Sequence, residues 1–315
     1  MSTTALRRLV YVVNPVAGKG KFLETARSMA RENHADTLHL TEGVGECIDY
    51  VASACLSDPE THFVVCGGDG TAGEAVTGIM RAGAGQSARL TVVPAGSGND
   101  FHRGIAAVSI PEGEDSIPLD LILANGRYVL NMLNVGFDCA VVSATETMRR
   151  GGKIPGSLTY LAGVLSVLKR KESFHTEISL TDVVTPGREG YADEVLEGDF
   201  LLTAIGNLPF CGGGFKGVPA ATPTDGMIDV LIARDMTRMQ FLSLVGGYRS
   251  GTHVNPETLT PYPFYAPYIE YRRCRTVSFS GVREICLDGE VIPATGVRAE
   301  SVPAAIRYVP ATLLK

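Results

Sequence analysis

The sequence has no run of apolar residues approaching the ~20 needed to cross a bilayer. Its first apolar stretch is only Leu9–Val13, too short for the core of a secretory signal, and no small-residue cleavage site follows. A soluble chain that stays in the cytoplasm is expected. Positive charge is in deficit as well. With 28 Lys and Arg against 34 Asp and Glu the net charge is −6, so nothing draws the whole chain to nucleic acid or to anionic lipid. Cys-x-x-Cys pairs are missing among the seven cysteines, Cys47, Cys55, Cys66, Cys139, Cys211, Cys274 and Cys286. Most sit in apolar runs, as small core residues of a reducing compartment do. The six histidines show no metal-ligand spacing. There is no internal repeat and no low-complexity linker.

What remains is an ordinary globular composition, 45% hydrophobic and 20% charged, over 315 residues. That length exceeds a typical single core and implies two domains. The first third alternates strand and helix. Strands are expected at Leu9–Asn14, Thr37–Thr41, Phe63–Cys66 and Leu90–Pro94, with helices at Phe22–Arg31, Cys47–Leu56 and Ala72–Arg81. Strands separated by helical crossovers imply a parallel sheet whose ligands sit at the carboxyl ends of the strands. After about Asp120 the pattern changes. Leu119–Ala124 and Tyr128–Met132 flank Asn125-Gly126, a pair that suits the positive φ angles of a type I′ hairpin turn. Further strand-like runs follow at Glu177–Leu180, Phe200–Ile205, Ile228–Ala233, Thr276–Phe279 and Glu284–Leu287. Two helices interrupt them, Leu158–Lys171 and Met236–Tyr248. The expected fold is α/β: a Rossmann-like parallel-sheet nucleotide domain, then a mainly antiparallel β domain.

The sharpest motif is Cys66-Gly67-Gly68-Asp69-Gly70-Thr71, between a strand and a helix. Glycines there let backbone N–H groups approach an anion, and the helix N-terminus favours negative charge. A carboxylate among phosphates repels them unless a divalent cation intervenes, so Asp69 implies Mg²⁺ with a nucleotide. Alone, the motif would equally serve as a capped turn. Gly68, Gly70 and Gly73 also satisfy the dinucleotide pattern Gly-x-Gly-x-x-Gly. That reading needs an acid about 20 residues on, and Ala75–Asn99 contains no Asp or Glu. Two more loops occupy equivalent places. Asn14-Pro15-Val16-Ala17-Gly18-Lys19-Gly20-Lys21 is no P-loop, because no Ser or Thr follows Lys19. Pro94-Ala95-Gly96-Ser97-Gly98-Asn99-Asp100 brings another hydroxyl and another acid.

In this order, Asn-Pro-x-x-Gly, Gly-Gly-Asp-Gly-Thr and Pro-x-Gly-Ser-x-Asn-Asp-Phe resemble the catalytic domain shared by diacylglycerol, sphingosine and ceramide kinases. The bacterial soluble diacylglycerol kinases look most similar. The resemblance extends through Asn207 to Gly214, Asp225-Gly226-Met227 and Leu287-Asp288-Gly289-Glu290. The resemblance implies an ATP-dependent, Mg²⁺-requiring lipid kinase with a phosphofructokinase- or NAD-kinase-like nucleotide domain and a β-sandwich lipid domain. It implies domains at 1–120 plus about 300–315 and at 121–299, with transfer in the cleft between. By the same resemblance, Asn14, Pro15, Val16, Ala17, Gly18, Thr41, Gly68, Asp69, Gly70, Thr71, Ala72, Gly73, Glu74 and Ser97 line ATP. Ser97 stands where Thr is common and keeps the hydroxyl, whereas Gly73 stands where Asn is common and loses a side chain. Asp69 and Asp100 correspond to the acids that hold catalytic Mg²⁺, and Asp120 to an acid near the reacting centre. Ile306–Val309 corresponds to a strand that returns to the nucleotide domain.

Asp288 matches the family's general base, although the residues by themselves favour a simple Asp-Gly turn. Thr222, Asp225 and Met227 resemble a structural Mg²⁺ loop, for which a plain turn is the alternative. Ser166-x-x-Lys169 lacks the companion motifs of penicillin-recognising enzymes and reads as a helix face. Arg149, Arg150, Lys153, Lys169, Arg170 and Lys171 flank the apolar helix, which is either a core helix with solvated ends or a membrane-touching element. Expected partners are a lipid at the membrane surface, contacted transiently, and no nucleic acid; a homodimer is compatible with the sequence. The competing readings are a small-molecule kinase of the NAD kinase or phosphofructokinase type and a nucleotide-binding regulator without turnover.

Overall fold

In the computed structural model, which describes residues 7–150, 156–170, 172–187 and 189–314, the chain divides into two units. The first is Met1–His102, Ala106–Leu119 and Ala304–Lys315; the second is Arg103–Ile105 and Asp120–Pro303.

The first unit opens with the alternation that the apolar periodicity predicts: β1 (Leu9–Val13), α1 (Leu23–Glu32), β2 (Thr37–Leu40), α2 (Glu46–Ser57), β3 (His62–Gly67), α3 (Asp69–Arg81), β4 (Arg89–Pro94) and α4 (Asp100–Ile105). The strands pair in parallel in the order β4-β3-β1-β2. Val10–Val13 and Phe63–Cys66 are almost wholly buried, as expected for strands covered on both faces. Each such side chain contributes ~1.5–3 kcal/mol by leaving water. α3 begins three residues before the expected Ala72, with Gly68 as N-cap. Asp69 therefore stands in the first helical turn rather than in the loop. The segment at 304–314 returns to this unit, where Tyr308 pairs in parallel with Leu90 and the Val309 N–H donates to the Leu90 carbonyl at 2.8 Å.

The second unit is built on β5 (Ile117–Ala124), β6 (Arg127–Val129) and β7 (Met132–Gly136), followed by α5 (Phe137–Arg150), α6 (Gly156–Val167), β8 (Phe174–Val184), β9 (Tyr191–Gly206) and β10 (Ile228–Arg234). α7 (Arg238–Ser250), β11 (Val254–Asn255), β12 (Thr260–Pro261), β13 (Ile269–Cys274), β14 (Thr276–Ser280), β15 (Glu284–Leu287), β16 (Glu290–Pro293) and β17 (Gly296–Tyr308) complete it. The strands run antiparallel in the order β16-β15-β7-β9-β8-β14-β17, with β10 joining β9 to β13. Asn125 and Gly126 take φ of 49° and 81°, the type I′ turn predicted for this hairpin. Its second strand stops at Val129, because the N–H groups of Leu130, Asn131 and Met132 donate to the Asp288 carboxylate. One apolar layer, including Ile178, Phe200, Ile205, Val230 and Val277, fills one side of these strands. Another, including Phe137, Val141, Leu231, Phe241 and Leu244, lies with α5 and α7. Of the basic cluster expected around α6, Lys153 and Lys171 lie outside the described residues.

Candidate active site

Three loops of the first unit come together at the carboxyl ends of β1, β3 and β4. The Asn14 side chain donates to Thr71 Oγ1 at 3.2 Å and accepts from the Val16 N–H at 3.1 Å, tying the first loop to α3. The Ala95 N–H donates to the Gly67 carbonyl at 2.8 Å. A Cβ on Gly96 would stand 2.6 Å from Gly68 Cα, so both backbones need glycine to approach so closely. Gly18, at φ +59°, lies against Ala95 in the same way: its Cβ would be 3.1 Å from the Ala95 carbonyl oxygen. Glu74 accepts from the Gly45 N–H at 2.9 Å, and the Thr41 N–H bonds the Val13 carbonyl at 2.9 Å. Gly68 is the N-cap of α3, Gly70 and Gly73 lie in its first turns, and Ser97 follows β4; Val16 is exposed, whereas Thr71 and Ala72 are buried. Pro15 and Ala17 complete the first loop. A helix start beside glycine loops is the kind of backbone arrangement that suits an anion.

Two carboxylates face that cluster. Asp69 Oδ1 accepts from the Phe101 N–H at 3.0 Å, which fastens α3 to the start of α4. A Cβ on Gly98 would lie 2.9 Å from Asp69 Oδ2 and 3.6 Å from Asp100 Oδ2. The two acids therefore converge on the space that the glycine leaves open. Carboxylates that share such a space repel unless a cation stands between them, and hard oxygen donors suit Mg²⁺. These residues fit the ion.

The acids of the second unit are held differently. Asp288 Oδ2 accepts from the Leu130 N–H at 2.7 Å, and Oδ1 accepts from Asn131 and Met132, each at 2.9 Å. Asp288 and Gly289, at φ 47° and 92°, form the two-residue turn between β15 and β16. The Asp-Gly turn is present, and its side chain also clamps the β6–β7 break. Asp120 Oδ2 accepts from the Gly226 N–H at 2.7 Å, and the Asp120 carbonyl accepts from Asn207 Nδ2 at 2.8 Å. Asn207 also reaches the Leu130 carbonyl at 3.0 Å, linking the surroundings of Asp120 and Asp288. Two residues absent from the expected site emerge here. The Oδ1 atoms of Asn131 and Asn207 are buried without a hydrogen-bond partner among the described residues. Asn207 lay in a stretch that carried the resemblance; nothing in the sequence marked Asn131.

The loop expected to hold structural Mg²⁺ has another cation. Asp225 Oδ2 lies 3.1 Å from Arg273 Nη1, and Oδ1 accepts from the Met227 N–H at 3.0 Å. Arg273 also meets Asp229 at 3.0 Å and the Ala220 carbonyl at 2.6 Å. Burial pushes the Asp229 carboxyl up to about 6, against the pull of that guanidinium. Of the expected set of Thr222, Asp225 and Met227, the one carboxylate thus already has a cationic partner. Among the described residues, no cluster of three or more His, Cys, Asp or Glu is gathered to hold a metal. The seven cysteines are thiols and buried, and burial pushes the Cys47, Cys66 and Cys286 thiols up to about 12, away from nucleophilic chemistry.

The second unit also encloses a narrow apolar cavity between α5, α6 and α7, lined by Phe137, Val164, Leu201, Phe241, Leu244 and Ile269. Its polar end carries Asp138 and Tyr248, whose hydroxyl donates to Asp138 Oδ2 at 3.2 Å.

Residues 8–131 match the diacylglycerol kinase catalytic domain, and residues 131–310 match the YegS C-terminal NAD kinase beta sandwich-like domain. A Pseudomonas aeruginosa protein named "Probable lipid kinase YegS-like" is 31% identical over 83% of this chain and 80% of its own. A diacylglycerol kinase of Bacillus subtilis is 24% identical over 90% of each chain. The crystal structure of a diacylglycerol kinase from Bacillus anthracis superposes with a TM-score of 0.66, at 18% identity over 97% of each chain, and shares the fold. With both halves matched, the chain belongs to the diacylglycerol kinase and YegS-like family of lipid kinases.

Proposed function

We propose that the protein transfers the terminal phosphoryl group of ATP to a hydroxyl of a diacylglycerol or a related lipid such as a sphingoid base. The observation that carries the reading is the approach of Asp69 and Asp100 to one point beside Gly98, among loops whose backbones touch. Asp69 and Asp100 would hold Mg²⁺, which when bound supplies neutralising charge to the phosphate oxygens. The loops after β1, β3 and β4 cradle the polyphosphate, and the start of α3 directs N–H groups toward it. In the second unit Asp288 takes the proton of the attacking hydroxyl. Its three N–H donors fix the plane of the carboxylate, which is how a base is held to one direction. The cavity beneath α7 takes part of the lipid's apolar tail. At about 40 Å³ it has room for only a few waters, so tail entry requires α6 or α7 to move outward.

Such an enzyme works from the cytoplasm, where ATP is supplied, on lipid presented at a membrane surface. An NAD kinase type of reaction gives the apolar cavity nothing to do, and a regulator without turnover gives nothing for Asp288 to accept. The test is incubation of purified protein with γ-labelled ATP, Mg²⁺ and a panel of diacylglycerol, monoacylglycerol, sphingosine, ceramide and NAD. Label is expected in a lipid. Label in NAD alone, or ATP binding with no transfer to any acceptor, would replace this reading with one of the others.

A further inference from the structure

α7 has two apolar faces. Its inner face, Phe241, Leu244 and Gly247, is buried, and Phe241, Leu244, Val245 and Tyr248 wall the cavity. Its outer face ought to be polar on a surface helix. Instead Met239 is 75% exposed and Leu242 41% exposed, and these positions share one stripe with Gly246 and Arg249 by three- and four-residue steps. No Asp or Glu occurs anywhere in Arg238–Ser250, and arginines stand near both ends. In a chain of net charge −6, that is a local reversal of sign.

Two neighbouring segments flank α7. The Arg238 guanidinium donates to the carbonyls of Leu168 and Lys169 at 3.0 and 2.7 Å, pinning the start of α7 to the end of α6. There Leu165 is 52% exposed, and Lys169 is exposed as well. On the other flank, Thr258–Ile269 contains no charged residue but four aromatic ones, Tyr262, Phe264, Tyr265 and Tyr268. Tyr268 accepts from Gln240 Nε2 of α7 at 3.0 Å, and Tyr265 packs against Gly247 closely enough to exclude a Cβ there. Phe264 is left exposed, and Tyr262 partly so. Acids border this surface at Asp235 and Glu257, and Glu270 is engaged by Arg234 and Arg272.

We infer that this surface, Met239 and Leu242 with Leu165 and Phe264 inside a border of Lys169, Arg238 and Arg249, docks on an anionic lipid bilayer. Apolar residues exposed together and edged by cations match the interfacial zone, where alkyl groups enter the headgroup layer and bases meet phosphate. Tyr and Phe settle at the same depth. No helix of the described residues is long and apolar enough to cross a membrane, so the contact is peripheral. The inference rests on the lipid-kinase reading for its purpose: the helix that touches the bilayer is the wall of the cavity, so docking and the outward movement that admits a tail occur on one element.

The test uses the whole protein and sedimentation with phosphatidylcholine vesicles, with and without phosphatidylserine. Wild type is expected to sediment with the anionic vesicles. The exposed double variant Met239→Glu/Leu242→Glu is expected to lose at least ~10-fold in bound fraction, and Lys169→Glu/Arg249→Glu to lose the preference for phosphatidylserine. Both variants should phosphorylate a dissolved short-chain lipid within about twofold of wild type, since neither pair enters the reaction. Undiminished vesicle binding by the double variant overturns the surface. So does equal loss on dissolved substrate, or conversion of a dimer to a monomer in light scattering, which would make the face a contact between copies. Wild type that binds vesicles through these residues yet labels no lipid overturns the kinase reading and leaves the docking surface standing.

Discussion

The two units use the same residue, aspartate, in different ways. In the first, Asp69 gives one oxygen to the Phe101 N–H, while its other oxygen and one of Asp100's lie close together beside Gly98. In the second, Asp120, Asp225, Asp229 and Asp288 accept backbone N–H groups or a guanidinium. The parallel sheet gathers loops at one edge, so its acids converge there. The antiparallel sheet leaves breaks, such as the one at Leu130–Asn131, and its acids close them.

The sharpest way to break this contrast is Asp288, which belongs to both descriptions. Asp288→Asn keeps the shape and removes the proton acceptor, and kcat is expected to fall ~10²–10⁴-fold. ATP affinity by calorimetry should stay within a few-fold. A lowered melting temperature with unchanged kcat would make Asp288 a clamp only. Asp69→Asn comes next. The amide oxygen can still accept from Phe101, so the fold should survive, while turnover is expected to drop ~10²–10³-fold through about 3 kcal/mol of lost charge stabilisation. Steady-state rates within threefold of wild type would remove the metal role. Gly96→Ala forces the touching loops apart, and strain of ~1–3 kcal/mol should weaken ATP binding by roughly tenfold. Gly43→Ala, with open space around its Cβ, is the control. The smallest effect concerns Arg273. In wild type, excess Mg²⁺ should leave the melting curve unmoved in the absence of nucleotide. In Arg273→Gln the uncompensated Asp225 and Asp229 should make it Mg²⁺-responsive, by a few degrees for ~1 kcal/mol. A wild-type curve that rises with Mg²⁺, and no longer does so in Asp225→Ala, would restore the cation to that loop.

The first unit was legible because β1, β3 and β4 carry apolar cores and its helices are periodic; the Asn125-Gly126 turn was legible because its φ angles demand those residues. The missed pieces share a cause. β13 reads Ile-Glu-Tyr-Arg-Arg-Cys, too charged for a strand in isolation, yet Arg272 meets Glu194 at 2.6 Å and Arg273 meets Asp229. β9 starts nine residues before the expected Phe200, because Tyr191–Asp199 pairs with β8 outside the core and keeps its side chains largely exposed. α5 follows β7 with no Pro and no intervening loop, so no boundary announced it, and Asp138 at the cavity went unseen with it. The two strands depend on partners distant in the chain, which local periodicity does not carry, and the helix lacks a local boundary signal.

The return of the chain to its first unit bears on biosynthesis. Leu90 emerges from the ribosome long before Tyr308 and Val309, which pair with it, and Thr91 Oγ1 likewise waits for the Val309 carbonyl, which it meets at 2.8 Å. The first unit therefore begins first and is completed only after Tyr308 and Val309 are made, with the whole intervening unit translated while one side of β4 lacks its neighbour. Loss of residues 304–314 would act on a nascent sheet edge as much as on a finished enzyme, and an exposed strand edge is where newly made chains associate wrongly.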